Sequence, residues 1–252
     1  MRFATTAAGE QAWNAAALAA DPAEPAFRVW TWPRPAIVLG RAQRKLLDEV
    51  RERAGTGIEV LARDSGGGAV LAGPWMVGAS VVLPVGHRLL GANLIDAYRW
   101  LGEAYYAVVQ EIGIAARLVR PDELQRGELR IRESQRGQRS ADGSRDDLAP
   151  REPVAWACYG SLSPWELVDA DGRKLVGLAQ QRRRNAVLLV SGLLAGAPEW
   201  PMLCRALGRE ADLGQLSAWT TSLEALRGER FDDRFAMEVA EGLDAAIASA
   251  IC

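Results

Sequence analysis

The sequence predicts an α/β chain of the mixed α+β kind, with a central, mixed and largely antiparallel sheet flanked by helices. Two patterns and one count carry this. Apolar residues recur at spacings of three and four near both ends of the chain, as helices that cover a core require. Short apolar runs bounded by Gly and Pro fill the middle, as strands do, and no internal repeat is present. With 252 residues of which 49% are hydrophobic, there is ample material for a core.

Taken in order, Glu10 to Ala20 reads as an Ala-rich helix with Trp13, Ala17 and Leu18 near one face, ended by Asp21 and Pro22. Phe27 to Trp32 and Ala36 to Leu39 read as strands joined by a stiff turn, since Pro33 and Pro35 cannot donate to a ladder. A charged helix is expected from about Lys45 to Ala54, then a strand from Ile58 to Ala62. Ala69 to Leu71 and Met76 to Leu83 are the next strands, on the far side of a glycine turn. Leu94, Tyr98, Leu101, Tyr105 and Val108 stripe one long helix from Asn93 to Ile112.

Residues 122–152 break the pattern, with eight acidic and seven Arg residues and no aromatic. Such a segment buries too little apolar surface to offset its ordering entropy, and reads as a mobile surface insertion in a single domain spanning residues 1–252. Order is expected again at Val154 to Tyr159, Trp165 to Val168, Lys174 to Ala179 and Ala186 to Leu194. The tail reads as helices, Met202 to Leu207 and Phe231 to Ile251, the second striped by Met237, Ala240, Leu243 and Ile247. Of the Trp residues, Trp13, Trp100 and Trp165 are expected in the core.

Composition excludes several functions. Thirty basic against 32 acidic residues leave a net charge of −2, so no global field holds the chain on nucleic acid or on an anionic membrane. No window approaches a spanning helix, and Glu10, Asp21 and Glu24 interrupt any leader, which points to a cytoplasmic protein. Cys158, Cys204 and Cys252 stand in no C-x-x-C spacing, and His87, the only histidine, reads as a loop residue, so no metal site is expected. Only Lys45 and Lys174 are lysine; every other basic residue is arginine. Against that bias a lysine marks a place where a compact, rotatable point charge serves and a planar fork does not.

Three segments could carry chemistry. Arg63-Asp64-Ser65-Gly66-Gly67-Gly68-Ala69-Val70 sets three glycines between strands, giving either a flexible hairpin loop or a backbone N–H concavity suited to an anion, with Arg63 at its edge. Lys174-Leu175-Val176-Gly177-Leu178-Ala179-Gln180 follows an Asp171-Gly172-Arg173 turn. Strand alternation puts Lys174, Val176 and Leu178 on one face and Leu175, Gly177 and Ala179 on the other, unless a bulge intervenes. Cys158, expected in a strand before Tyr159 and Gly160, is either an inert core thiol or a nucleophile whose thiolate is stabilised by a cation. Lys174 is the candidate cation, since a hairpin at Asp169 to Gly172 folds its strand back toward Cys158. The run Arg182 to Arg184 reads as a solvated turn, although its position just after the Lys174 strand would suit an acidic partner.

In this order the segments resemble the catalytic domain of the lipoate-protein ligase A family, whose relatives include octanoyltransferases and biotin-protein ligases. Arg63 to Val70 is similar to its R-R-x-S-G-G-G-A-V turn, with Ala62 in place of the first Arg, and Val38 to Gln43 to its L-G-x-x-Q strand end. Lys174 to Arg182 resembles the signature K-x-x-G-x-A-Q-x-R. Ala72-Gly73-Pro74 replaces a usual H-D-x-G, and Val190-Ser191-Gly192 a usual H-G-S or H-G-T. Within the family, Cys158-Tyr159 followed by Ser163, Trp165 and Glu166 is similar to the C-F-x-x-x-S-x-Y-E run of cysteine-dependent octanoyltransferases.

The resemblance implies a fold like that of class II tRNA synthetases and biotin-protein ligases. It implies transfer of a lipoyl or octanoyl group, from an acyl thioester, to a lysine of an acceptor domain in 2-oxoacid dehydrogenases or the glycine cleavage protein. An acyl carrier protein is a further partner. Cys158 would carry the acyl group and Lys174 would touch the reacting carbonyl oxygen, while Arg63, Ser65, Gly66, Gly67, Gly68, Ala69, Gly177 and Ala179 would bind substrate. Two alternatives stay open. One is an ATP-dependent lipoate ligase working through lipoyl-AMP with ATP and Mg, although the stretch after Leu194 is short for the additional domain such ligases commonly carry. The other is a catalytically silent binding or accessory homologue.

Overall fold

A computed structural model describes residues 2–126 and 152–252. Two sheets organise the chain. The larger has six strands in the order β1-β5-β9-β8-β7-β6: β1 (Ala26–Thr31), β5 (Met76–Pro84), β6 (Arg117–Leu118), β7 (Leu167–Val168), β8 (Lys174–Arg182) and β9 (Ala186–Leu194). Every neighbouring pair in it is antiparallel. The smaller has the order β3-β2-β4: β2 (Ala36–Leu39) pairs in parallel with β3 (Glu59–Ala62) and antiparallel with β4 (Val70–Ala72). The mixed character thus comes from one parallel pair.

The helices are α1 (Ala7–Ala19), α2 (Leu47–Ala54), α3 (Arg99–Glu111), α4 (Pro121–Arg126), α5 (Trp200–Leu207), α6 (Leu213–Ala218), α7 (Leu223–Arg227) and α8 (Asp233–Ile251). Leu101, Tyr105 and Val108 of α3 and Val239, Leu243 and Ile247 of α8 pack with Val77, Val81, Leu175 and Leu189 of the large sheet to form the main core. A second core lies between the sheets, where Ile37, Leu39, Leu71 and Tyr159 meet Trp30, Trp32, Trp75 and Trp200. Strand β5, buried at all but its last residue, serves both, which is why it reads as an unbroken apolar run. Trp100 is buried in the main core as expected, whereas Trp13 and Trp165 only pack against the core edges. Among the described residues, no helix is long and apolar enough to cross a membrane.

Several expectations need correction. Helix α1 starts at Ala7, not Glu10, because Thr6 caps it and the Glu59 carboxylate accepts from the N–H groups of Ala7 and Ala8, both at 3.0 Å. The helix buries Ala7, Glu10, Asn14 and Leu18, so its inner face carries two polar residues where Trp13 and Ala17 were expected. The long helix expected from Asn93 begins at Arg99, preceded by a 3-10 turn at Asp96–Tyr98. The start of the expected insertion, 122–126, belongs to α4, with Arg117 and Glu123 paired at 2.7 Å; residues 127–151 lie outside the described residues.

Candidate active site

Cys158 does not lie in a strand. It opens a 3-10 turn, Cys158–Gly160, because a backbone bridge ends the extended segment just before it. The Ala69 N–H donates to Trp156 O at 2.8 Å and the Cys158 N–H to Ala69 O at 2.9 Å. The glycine turn is thereby joined to the Cys158 segment. Gly68 is required there, since a Cβ would lie 2.5 Å from Trp156 O, and Gly67 has φ +92°, a left-handed conformation that glycine adopts without strain. Gln43 reinforces the junction by donating from Nε2 to Trp156 O at 2.9 Å while its Oε1 accepts from the Gly40 N–H.

Lys174 arrives from the other side. The Asp169 carboxylate accepts from the backbone N–H groups of Asp171 and Arg173 and from Arg173 Nε, fixing the hairpin that Gly172 turns at φ +77°. Opposite it the register slips: Val168 pairs with Lys174 but Leu167 pairs with Val176, so Leu175 is an extra residue in β8. This bulge overturns the simple alternation. A Cβ on Gly177 would sit 3.3 Å from Lys174 Cε, so these two residues share a face, while Leu175 and Val176 pack in the main core.

The Lys174 ammonium is 1% exposed and fully engaged. Its Nζ pairs with Glu166 Oε1 at 2.8 Å and donates to Cys158 O at 2.8 Å and Ser161 O at 3.0 Å, and it lies 5.3 Å from the centre of the Tyr159 ring. A lysine has three donors, and three acceptors surround it. Glu166 also accepts from the N–H groups of Ser163 and Leu178. Burial pushes the Glu166 carboxyl above its usual range, against the pull of Lys174 and these hydrogen bonds. The Tyr159 hydroxyl donates to Gly192 O at 2.6 Å, and burial followed by the proximity of Cys158 drives its pKa well up. Beside it on β9, the hydroxyls of Ser191 and Tyr105 are 2.9 Å apart.

A cavity of about 630 Å³ opens beside this assembly. Arg63, Ser65, Cys158, Gly177 and Ala179 line it, whereas Gly66, Gly67, Gly68, Ala69 and Lys174 do not. Of the latter group, Ala69 and Lys174 bond the backbone that presents Cys158, whereas Gly66 and Gly67 are exposed on the turn. Val38, Val70, Ala72, Met76, Leu188 and Val190 give the cavity its apolar lining. Ala62, Ala72 and Val190, small or apolar where the resembled family commonly carries Arg and His, all face this space.

The sequence reading missed the opposite wall, formed by Glu10, Asn14 and Trp32 next to Arg63. Burial raises the Glu10 carboxyl to about 7, opposed by a hydrogen bond from Asn14, the charge of Arg63 and the nearby Trp32 indole N–H, which points toward the carboxyl without reaching hydrogen-bond geometry. The signal available was a carboxylate and an amide four residues apart in an Ala-rich helix, one turn apart on one face. Cys204 is buried away from the cavity and Cys252 is exposed at the C-terminus.

With this geometry in place, similarity to known proteins is informative. The model of the lipoyl protein ligase A/B catalytic domain matches residues 6–202. An octanoyltransferase LipM of Exiguobacterium sp. is 32% identical over 166 residues, covering 66% of this chain and 52% of that protein. The chain thus spans about half the length of the curated relatives it matches. Among solved structures, lipoate-protein ligase A bound with ATP superposes with a TM-score of 0.61 at 15% identity, covering 98% of this chain and 84% of that one. A bipartite lipoate protein ligase from Thermoplasma acidophilum, studied with its E2 lipoyl domain, gives a TM-score of 0.60 at 15% identity, covering 98% and 80%. At these identities the two structures speak for the fold alone. Because the matched span takes in both sheets, the glycine turn, Cys158 and the Lys174 strand, the chain belongs to the lipoyl protein ligase A/B catalytic domain family.

Proposed function

We propose that this chain is a cysteine-dependent acyltransferase that moves an octanoyl or lipoyl group from a carrier thioester to a lysine of a lipoyl acceptor domain. The observation that carries the reading is Cys158 at the wall of a largely apolar cavity, on a turn whose carbonyl is held by the buried Lys174. In the first step the Cys158 Sγ, as thiolate, attacks the thioester carbonyl. The carrier's sulfur leaves, taking a proton, and the acyl group stays as a thioester on Cys158. In the second step the neutral amine of the acceptor lysine attacks that thioester, forming the amide and returning the thiol. Both steps exchange an acyl group without an external energy source, and thioester exchange is nearly isoenergetic.

Lys174 enters as a positioning residue. Its three donors are spent on Glu166 and on the carbonyls of Cys158 and Ser161, so it acts through the backbone that aims the sulfur. The apolar lining receives the hydrocarbon of the acyl group and keeps water from the thioester.

Intact-mass measurement of enzyme quenched during reaction with octanoyl carrier protein tests this. A mass increase of one octanoyl group is expected, absent in Cys158→Ala and retained as a slow oxyester in Cys158→Ser. Transfer should fall by roughly a thousand-fold or more in Cys158→Ala. Unchanged transfer of lipoate by that variant with ATP and Mg would replace this reading with the ligase chemistry.

A further inference from the structure

Three buried polar atoms in the cavity wall have no partner among the described residues: Asn14 Oδ1, Trp32 Nε1 and Arg63 Nε. Their residues are 4%, 3% and 7% exposed, and all three line the cavity together with Glu10, which is 5% exposed. Each unpaired buried group costs a folded protein stability, because its hydrogen bonds to water are lost and not replaced. Three in one wall are therefore a feature that packing alone does not reward. They come from separate places in the chain: α1 supplies Glu10 and Asn14, Trp32 follows β1, and Arg63 follows β3.

We propose that Glu10, Asn14, Trp32 and Arg63 form a polar subsite that takes a hydroxyl carried on the acyl chain, so that a hydroxylated medium-length acyl group is preferred to the bare hydrocarbon. The inference rests on the acyl-transfer reading for the identity of its ligand, and on the wall itself for the hydroxyl. The unmet valences define the chemistry. Trp32 Nε1 and Arg63 Nε are N–H donors, and Asn14 Oδ1 is an acceptor. A hydroxyl offers one donor and two lone pairs, which answers all three. A methylene answers none. A carboxylate brings only acceptors, leaving Asn14 Oδ1 bare and setting a second acid beside Glu10.

Glu10 orders the amide. Asn14 Nδ2 reaches Glu10 Oε1 at 3.4 Å, which commits the donor side of the amide and leaves Oδ1 for a ligand. The other end of Arg63 is equally committed, since its Nη2 donates to Gly66 O at 2.9 Å and Gly68 O at 3.1 Å. The guanidinium thus joins the subsite to the glycine turn that holds Cys158. The apolar residues Val38, Val70, Met76 and Leu188 accept the hydrocarbon between.

Calorimetric titration of the whole chain with octanoate and with 4-, 6- and 8-hydroxyoctanoate tests the subsite. At least one hydroxylated isomer is expected to bind about 10-fold or more tightly than octanoate, the return of about one added hydrogen bond. Asn14→Leu, which keeps the branched shape and removes the acceptor, should put octanoate first. Octanoate binding tightest to the unsubstituted chain overturns the proposal, as does the absence of binding by any of the acids. A hydroxyl preference that survives in Asn14→Leu overturns it too. The same acids presented as pantetheine thioesters separate it from the transfer reading. Equal loading of Cys158 by octanoyl and hydroxyoctanoyl donors, with equal affinities of the free acids, sinks the subsite and leaves transfer standing. Selective binding of a hydroxy acid with no acyl mass on Cys158 from any donor does the reverse.

Discussion

The two walls of the cavity are built on opposite principles. On the Cys158 side the charged pair and the tyrosine are satisfied: the three donors of Lys174 meet three acceptors, Glu166 takes three hydrogen bonds, and the Tyr159 hydroxyl is tied to Gly192. On the α1 side, Glu10, Asn14, Trp32 and Arg63 are as deeply buried but leave three polar atoms unmet. A complete buried network fixes one geometry, and any removal from it is expensive. An incomplete one carries a standing cost that a ligand can relieve. Under the proposals above, the first wall would hold the reacting atom and the second would discriminate what is brought to it.

Breaking the complete wall should produce the largest change in stability. Lys174→Met leaves the Glu166 carboxylate buried without its cation, and is expected to cost about 3–5 kcal/mol in denaturant titrations. Adding Glu166→Leu should restore much of that loss, because an apolar pair has no charge to compensate. A single variant within about 1 kcal/mol of the parent would show that the network is not the rigid partner in the contrast. Lys174→Arg belongs with these, since a longer planar fork cannot meet the same three acceptors inside a fully buried site.

The incomplete wall gives a smaller, pH-dependent effect. With its folded pKa raised from 4.5 to about 7, Glu10 keeps a proton in the folded chain that the unfolded chain has already released. The unfolded state then binds fewer protons between those values, so its contribution to stability is largest below about pH 4.5, falls through that window and is flat above about pH 7. The full change is at most about 3 kcal/mol. Glu10→Gln, which cannot ionise, should remove this part of the slope and be the more stable protein at pH 8. Parallel stability profiles for the two proteins between pH 4.5 and 8 would refute it.

The smallest effect is expected at Asn14→Leu in the absence of ligand. Its Oδ1 makes no hydrogen bond and its Nδ2 makes only the long 3.4 Å one to Glu10, so thermal melts should place the variant within about 1 kcal/mol of the parent. A loss of several kcal/mol would mean that the amide is structural and that the two walls do not differ in kind.

Much of the Cys158 wall was legible in the sequence, and the reason is local. Three glycines between strands, a lysine in a chain otherwise rich in arginine, and the run from Cys158 to Glu166 each state a chemistry within a few residues. The strand order was not legible, but most strands and the terminal helices were, because period and bounding Gly or Pro suffice for them. The α1 wall was read wrongly for an equally definite reason. Its start was fixed by Thr6 together with Glu59, a residue far along the chain, and its packing puts the face of Glu10 and Asn14, not that of Trp13 and Ala17, innermost. Cys158 was likewise assigned to a strand because its turn is imposed by a bridge to Ala69 that no local pattern announces.

By itself, then, the sequence determined the fold class and the approximate positions of most of the β strands, although β6 went unread and Val154 to Tyr159 is not a strand, and it singled out Cys158 and Lys174 as candidates, since these depend on residue type and short spacing. Tertiary structure decided how those residues act. The single extra residue at Leu175 turned Lys174 to the face of Gly177, and closure of the hairpin over the Cys158 turn gave its ammonium three protein acceptors in place of a substrate. Packing of α1 across β5 and β9 of the large sheet and β3 of the small one brought Glu10 and Asn14 to Arg63. Burial and the count of available partners are properties of the assembled chain, and they are what separate a holding residue from one left open to a ligand.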